Sequence, residues 1–366
     1  MSSDLPIPPG GLIAARVPEH LGLPDVRNDV HQRVLTFLDA VASPDHGYLF
    51  RENPDEPSRS DASGGPSSIE TLVWAITSLI HVRAADRLDA VRGPALAALD
   101  AFHDPDTGLY QPLADQHKPV GSWRLHNDAV CRIGITLLGE QPRPWPARLD
   151  LPRLFPWAPA DDADVQAWCE SRWAMGPRRA TKEIFQFVAL ELGRRGTQPG
   201  EDLPSRAEQA LDFLECRRDR DTGLIGIGPG IRVGDALRGY RNMVVNVHWP
   251  LALPEPEAAL SRIIDATLSC QRNDGLFDDG GMCANMDAVE LLVEYTLRTG
   301  DQRERVTNAV TKCLDAIDRD LAHPTGGVRF QHPSQDTPAH ALRLTNGLAF
   351  ALKSQRFAAA LRGRRP

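Results

Sequence analysis

The 366 residues carry 41 lysines and arginines against 49 aspartates and glutamates, a net charge of −8. An acid-weighted chain lacks the basic face that nucleic-acid binding needs, and no apolar run reaches the roughly 18 residues of a membrane span. The start, Met1 to Gly11, has neither the basic head nor the apolar core of an export signal. The six cysteines (Cys131, Cys169, Cys216, Cys270, Cys283, Cys313) form no CxxC pair, so they read as reduced thiols of a cytoplasmic protein.

After an extension over residues 1–24, one phrase recurs through a single domain spanning 25–366: an amphipathic helix, a polar turn with Asp and Gly, then a more apolar helix. The first helix of each pair is expected at Asp25–Ala42, Pro94–Phe102, Ala163–Ser171 (a weak segment), Pro204–Arg217, Glu255–Gln271 and Gln302–Asp320. Its partner is expected at Pro66–Val82, His126–Leu138, Thr181–Leu192, Asn242–Leu253, Asn285–Leu297 and His340–Leu352. Leu, Val, Ile and Ala dominate this second set, the composition of helices buried on more than one face.

The turn glycines are Gly47, Gly108, Gly223, Gly275 and Gly326, each placed where a helix end or tight turn needs positive φ. Their spacings are 61, 115, 52 and 51 residues. The doubled interval predicts one unit that has lost its signature, near Cys169 to Gly176. Five visible units and one degenerate unit make six, with few strand signals. The fold class is therefore all-α, an (α/α)6 toroid of six helical hairpins closed around a central cavity. An open solenoid is the alternative, but a closed ring needs no capping repeats.

In such a ring the inner helices begin at one rim, so their first turns line the mouth. These turns are polar for helices that continue so apolar. They supply Glu70, His126, Asp128, His248 and Asp287 as acid–base candidates. Carboxylates that share a cavity divide the work of acid and base, because proximity separates their pKa values. Asp128 is the leading candidate: Ala129, Val130 and Ile133 give it an apolar surround, and His126 stands beside it to relay a proton. Trp123, Trp249, Tyr240, Arg241, Arg343 and Asn246 are the substrate-binding candidates. Aromatic rings beside the arginines Arg178, Arg179, Arg232, Arg238 and Arg241 suit a small anionic or π-rich ligand. The competing structural reading is helix capping, which accounts for Ser68, Asn127 and Asn285 but poorly for a histidine or arginine at that end.

The phrase Leu268-Ser-Cys-Gln-Arg-Asn-Asp-Gly-Leu-Phe-Asp-Asp-Gly-Gly281 resembles the repeat of the terpenoid cyclase and protein prenyltransferase toroids. That resemblance covers five of the six units and implies the fold. It does not bring the chemistry: the Asp-x-Asp-Asp acid motif, the Gln-Trp signature and the Asp-Asp-x-x-Asp diphosphate motif are all absent. In the prenyltransferase catalytic subunits an Asp, a Cys and a His bind zinc. The matching positions here are Cys283 and His340, while the family's Asp two residues before the Cys is Gly281, with Asp279 or Asp287 as its substitute. The resemblance thus implies a zinc site at Cys283 and His340, whereas acid–base chemistry requires no cofactor.

A second resemblance, carried by His103-Asp-Pro-Asp-Thr-Gly-Leu-Tyr110, is to the six-hairpin glycosidases and polysaccharide lyases. Three functions follow: a small-molecule enzyme performing cyclisation, isomerisation or elimination; a carbohydrate-active hydrolase, lyase or epimerase; or a non-catalytic binding scaffold.

Overall fold

The computed structural model describes residues 28–42, 50–51, 67–111, 122–143, 155, 157–160, 163–195, 202–228, 230–243, 257–332 and 343–363. Twelve α-helices lie among them. Those of the first three hairpins are α1 (Asn28–Val41), α2 (Ser67–His81), α3 (Ala85–Asp100), α4 (Ser122–Leu137), α5 (Val165–Ala174) and α6 (Pro177–Arg195). Those of the last three are α7 (Ser205–Glu215), α8 (Val233–Met243), α9 (Glu257–Ser269), α10 (Met282–Thr299), α11 (Arg303–Ala316) and α12 (Leu344–Gly363). A π-helical turn, Ile317–Leu321, extends α11. One two-stranded sheet, β1 (His103–Asp104) with β2 (Leu109–Tyr110), is the only sheet among the described residues.

The even-numbered helices touch one another in sequence, α2 to α4, α6, α8, α10 and α12, and α12 returns to α2. Each odd-numbered helix lies outside this ring against its even partners. That closed inner ring is the (α/α)6 toroid, and its seam joins the chain's first hairpin to its last. At the seam Thr345 Oγ1 donates to the Arg51 carbonyl at 2.7 Å. The last turn also lies against α1, where a Cβ on Gly327 would stand 2.8 Å from the Phe37 ring. The core fills the space between rings, with Phe37, Ile76, Leu99, Phe185, Phe187 and Tyr295 fully buried.

The turn phrase works as its residues dictate. Gly108, Gly223, Gly275 and Gly326 all have φ between +68° and +102°. In the second hairpin Asp104 accepts from the Asp106 N–H (3.0 Å) and Thr107 hydroxyl (2.9 Å). In the fourth, Asp219 accepts from both groups of Thr222 at 2.7 Å, the hydroxyl bond most of all lowering its pKa. A short antiparallel bridge spans four of the turns: Ala42 with Phe50, His103 with Tyr110, Gln271 with Phe277, Ala322 with Val328. The third hairpin is the degenerate one. Only Met175 and Gly176, at φ +129°, separate α5 from α6.

Three helices depart furthest from expectation, and the last of them, expected at His340–Leu352, runs Leu344–Gly363. Helix α3 begins at Ala85 and runs through Pro94, because proline costs a helix one hydrogen bond without always ending it. The sequence placed Pro94 at a helix start. The fourth inner helix is Val233–Met243, whereas the apolar run 242–253 suggested it; residues 244–256 lie outside the described ones. Arg238, grouped by sequence with the other arginines, lies on this helix with buried Ala236, Leu237 and Tyr240, and Arg232 immediately precedes it.

Candidate active site

The first turns of α2 and α12 meet at the seam. Glu70 on α2 is almost wholly buried and accepts from the guanidinium of Arg343, which immediately precedes α12. The Asn346 side-chain amide donates to the same Oε2 at 3.2 Å. These residues are some 270 positions apart, so only ring closure brings them together. Arg343 lies over the Phe330 ring at 4.9 Å, and Phe330, Phe350 and Trp74 form an aromatic row with centroids 5.5 and 4.9 Å apart. A buried carboxylate paired with a guanidinium beside an aromatic wall is costly to assemble without its partners.

On the other side of α12 stands α10. Asp287, one turn into α10, is buried, and Glu290 one turn further forms a fully buried ion pair with Lys353 of α12. Asp287 also lies within electrostatic range of Arg238 on α8. Arg238 is gripped from the turn before α10: its Nη2 donates to Asp278 at 2.6 Å and its Nη1 to Asp279 at 3.0 Å. Asp278 also takes Arg232 at 2.5 Å. It holds a left-handed backbone (φ +46°), and its carboxylate lies so close to Gly234 that any side chain there would clash. Burial lowers and the surrounding aspartates raise the Arg238 pKa, and the raising wins. At the head of α6, Arg172 (2.6 Å) and Arg179 (2.9 Å) share Glu183.

Asp128 has a different setting. Its Oδ1 accepts from the Tyr110 backbone N–H and its Oδ2 from Arg132 Nε, both at 2.8 Å. Arg132 goes on to the carbonyls of Arg143 (2.5 Å) and Gly108 (3.3 Å). These partners belong to the second hairpin's own turn, to α4 itself and to the segment after it. In the fifth hairpin Asn285 makes the equivalent bond, accepting from the Phe277 N–H at 2.8 Å, with a side chain that cannot act as an acid. The geometry therefore makes Asp128 a strut between turn and helix and gives no support to its expected proton-transfer role.

Tyr240 needs correction as a substrate platform. It is fully buried, and its hydroxyl meets Arg218 (3.3 Å) and Tyr295 (3.4 Å). Trp168 and Trp173 likewise pack between layers, against Phe187 and Phe213. Trp123, His126 and Arg241 lie in helices whose side chains there are outside the described residues, and Asn246, His248, Trp249 and His340 lie outside them altogether. Cys283 is half-buried in the first turn of α10. Among the described residues no group of three His, Cys, Asp or Glu side chains is arranged to hold a metal ion.

Sequence reasoning singled out Glu70, Asp287 and Arg343 but gave no weight to Lys353, Arg356 and His81. Their signal was polar residues recurring inside otherwise apolar inner helices. No described helix is long and apolar enough to cross a membrane.

No protein-family model and no curated protein matches the sequence. Among solved structures the chain is similar to a GH76 α-mannanase of Bacteroides thetaiotaomicron, at 12% identity and TM-score 0.47, covering 91% of this chain and 96% of that one. It is similar too to a type II terpene cyclase from Scytonema in complex with geranylgeranyl dihydroxybenzoate, at 13% identity and TM-score 0.48, covering 91% and 97%. A polysaccharide lyase also aligns, at 12% identity and TM-score 0.42 over 91% of this chain and 96% of that one.

Proposed function

We propose that this toroid is an acid–base enzyme acting on a neutral, polyhydroxylated substrate of carbohydrate type at the mouth of the ring. Glu70 and Asp287 are the acid–base residues of this reading, and Asn346 and Arg343 orient the substrate. The observation that carries it is charge balance. Arg179, Arg232, Arg238 and Arg343 are each already engaged by a carboxylate, on Glu183, Asp278, Asp279 or Glu70. Recognition of a diphosphate calls for a surplus of cationic donors. Sugar hydroxyls, which donate and accept at once, suit a wall where donors and acceptors alternate. Among the described arginines of the cluster this leaves no surplus for the small anionic substrate expected from it.

One observation favours the small-molecule cyclisation or isomerisation reading: the row Trp74, Phe350 and Phe330 gives Glu70 an aromatic flank. Ring closure at Thr345 and Arg51 supports treating residues 25–366 as one domain. The deciding experiment assays the full chain against neutral oligosaccharides, by release of reducing ends or unsaturated product, and in parallel against isoprenoid diphosphates. Glu70→Gln and Asp287→Asn are included, with circular dichroism confirming their fold. Glycan turnover lost in both variants bears the reading out. Turnover of isoprenoids alone transfers the assignment to the cyclase type, and glycan binding without turnover leaves a binding scaffold.

A further inference from the structure

Helices α2 and α12 run side by side in the same direction, since Asn346 at the head of one meets Glu70 at the head of the other. Eleven residues further along each lie Phe357 and His81, so His81 and Arg356 occupy one level near the far end of the ring. Lys353 stands one turn before Arg356 on the same helix face, in its buried ion pair with Glu290. His81 is 1% exposed, and neither of its ring nitrogens has a hydrogen-bond partner. Nearby hydroxyls are committed to their own helices. Thr77 donates to the Val73 carbonyl, Ser78 to Trp74 and Ser354 to Phe350, all within 2.8–2.9 Å. A buried imidazole left this way is an exception that calls for an occupant.

Electrostatics indicate its sign. Burial, then Lys353 and then Arg356, lower the His81 pKa to about 3, and the carboxylate that this group carries is Glu290, on the Lys353 side. The ring stays neutral, keeping one N–H to donate beside two cations. Leu79, Val82, Phe357 and Leu361, at the same end of these two helices, are buried too. An oxyanion would need donors for three or four oxygens; a spherical ion needs none in particular directions.

We propose that this end of the ring binds a monatomic anion of chloride size, held by the His81 N–H and the charges of Lys353 and Arg356. The site lies away from the mouth and does not depend on the substrate assigned there. The test is thermal unfolding of the full chain at constant ionic strength while sodium gluconate is replaced by sodium chloride. The midpoint should rise by roughly 2 °C per tenfold chloride above the dissociation constant, as for any ligand that binds only the folded state. His81→Leu should abolish the rise, and His81→Gln, which restores a donor, should recover part of it. Crystals soaked in sodium bromide should show an anomalous peak between His81, Lys353 and Arg356. A wild-type midpoint indifferent to chloride, or a His81→Leu variant that keeps the full response, overturns the proposal. His81 would then be an orphaned core histidine.

Discussion

Two inner helices start with a buried acid, Glu70 on α2 and Asp128 on α4, yet the two acids face different parts of the molecule. Asp128 bonds within its own hairpin, to the turn before it and to Arg132 one helical turn on. Glu70 bonds across the seam, to residues at the other end of the chain. A local partner fastens a helix to its turn, which every hairpin needs; Asn285 does it as well as an aspartate. A partner from another hairpin places an ionisable group on a wall shared by two units. Where its partners come from, more than how apolar its neighbours in sequence are, separates a strut from a candidate for chemistry.

The largest expected effect tests how dry the seam is. The His81 pKa falls from 6.5 to about 3 in the folded protein. Above pH 6.5 the ring is neutral folded or unfolded and contributes no pH dependence. Between pH 6.5 and 3 only the unfolded chain takes up the proton, so stability falls as pH falls, by roughly 4–5 kcal/mol in total. Denaturant unfolding across that range should show the slope in wild type and lose it in His81→Leu. An unchanged slope in the variant would assign it to other groups.

Next is Glu70→Gln, which keeps shape and removes the acid. On a substrate found by the screen above, turnover should drop 100-fold or more, about 2.7 kcal/mol of barrier. Retention of normal rate would remove Glu70 from the pair and leave its bond with Arg343 a structural one.

A smaller effect probes the turn phrase that recurs from hairpin to hairpin. Gly275→Ala forces φ +102° on an alanine and drives its Cβ to 2.7 Å from the Lys312 carbonyl. Stability should fall by about 1–3 kcal/mol, read as a lower urea midpoint at unchanged slope.

Asp128→Asn should do least to turnover. An asparagine can still accept from Tyr110, as Asn285 does from Phe277, but its NH2 then faces Arg132 Nε–H, and Arg132 keeps only its carbonyl partners. We expect a stability loss of about 1–3 kcal/mol from the weakened charged bond and near-normal turnover. A 100-fold loss of activity in a folded variant would restore Asp128 as the acid and undo the contrast with Glu70.

The periodicity of this chain determined its architecture. Glycine placement and Asx-type turns are local constraints, set by φ and by side chains two or three residues away, so they are written in contiguous residues. That is why Gly108, Gly223, Gly275 and Gly326, the doubled interval, and nine of the twelve helices could be placed close to their observed bounds from the residues alone. Local pattern failed where two readings compete within one segment: at Pro94, which fits a helix start as well as a tolerated interior, and at 233–253, where an apolar run outweighed a charged amphipathic helix. Tertiary structure alone decided the partners. Glu70 and Arg343 were both legible as polar residues in first turns, but their pairing depends on the ring closing, which brings together positions 273 apart. Burial of Tyr240, the strut role of Asp128, and the Lys353, Arg356 and His81 group follow from the same cause. Spacing reports which face of a helix a residue occupies, and only packing settles what that face meets.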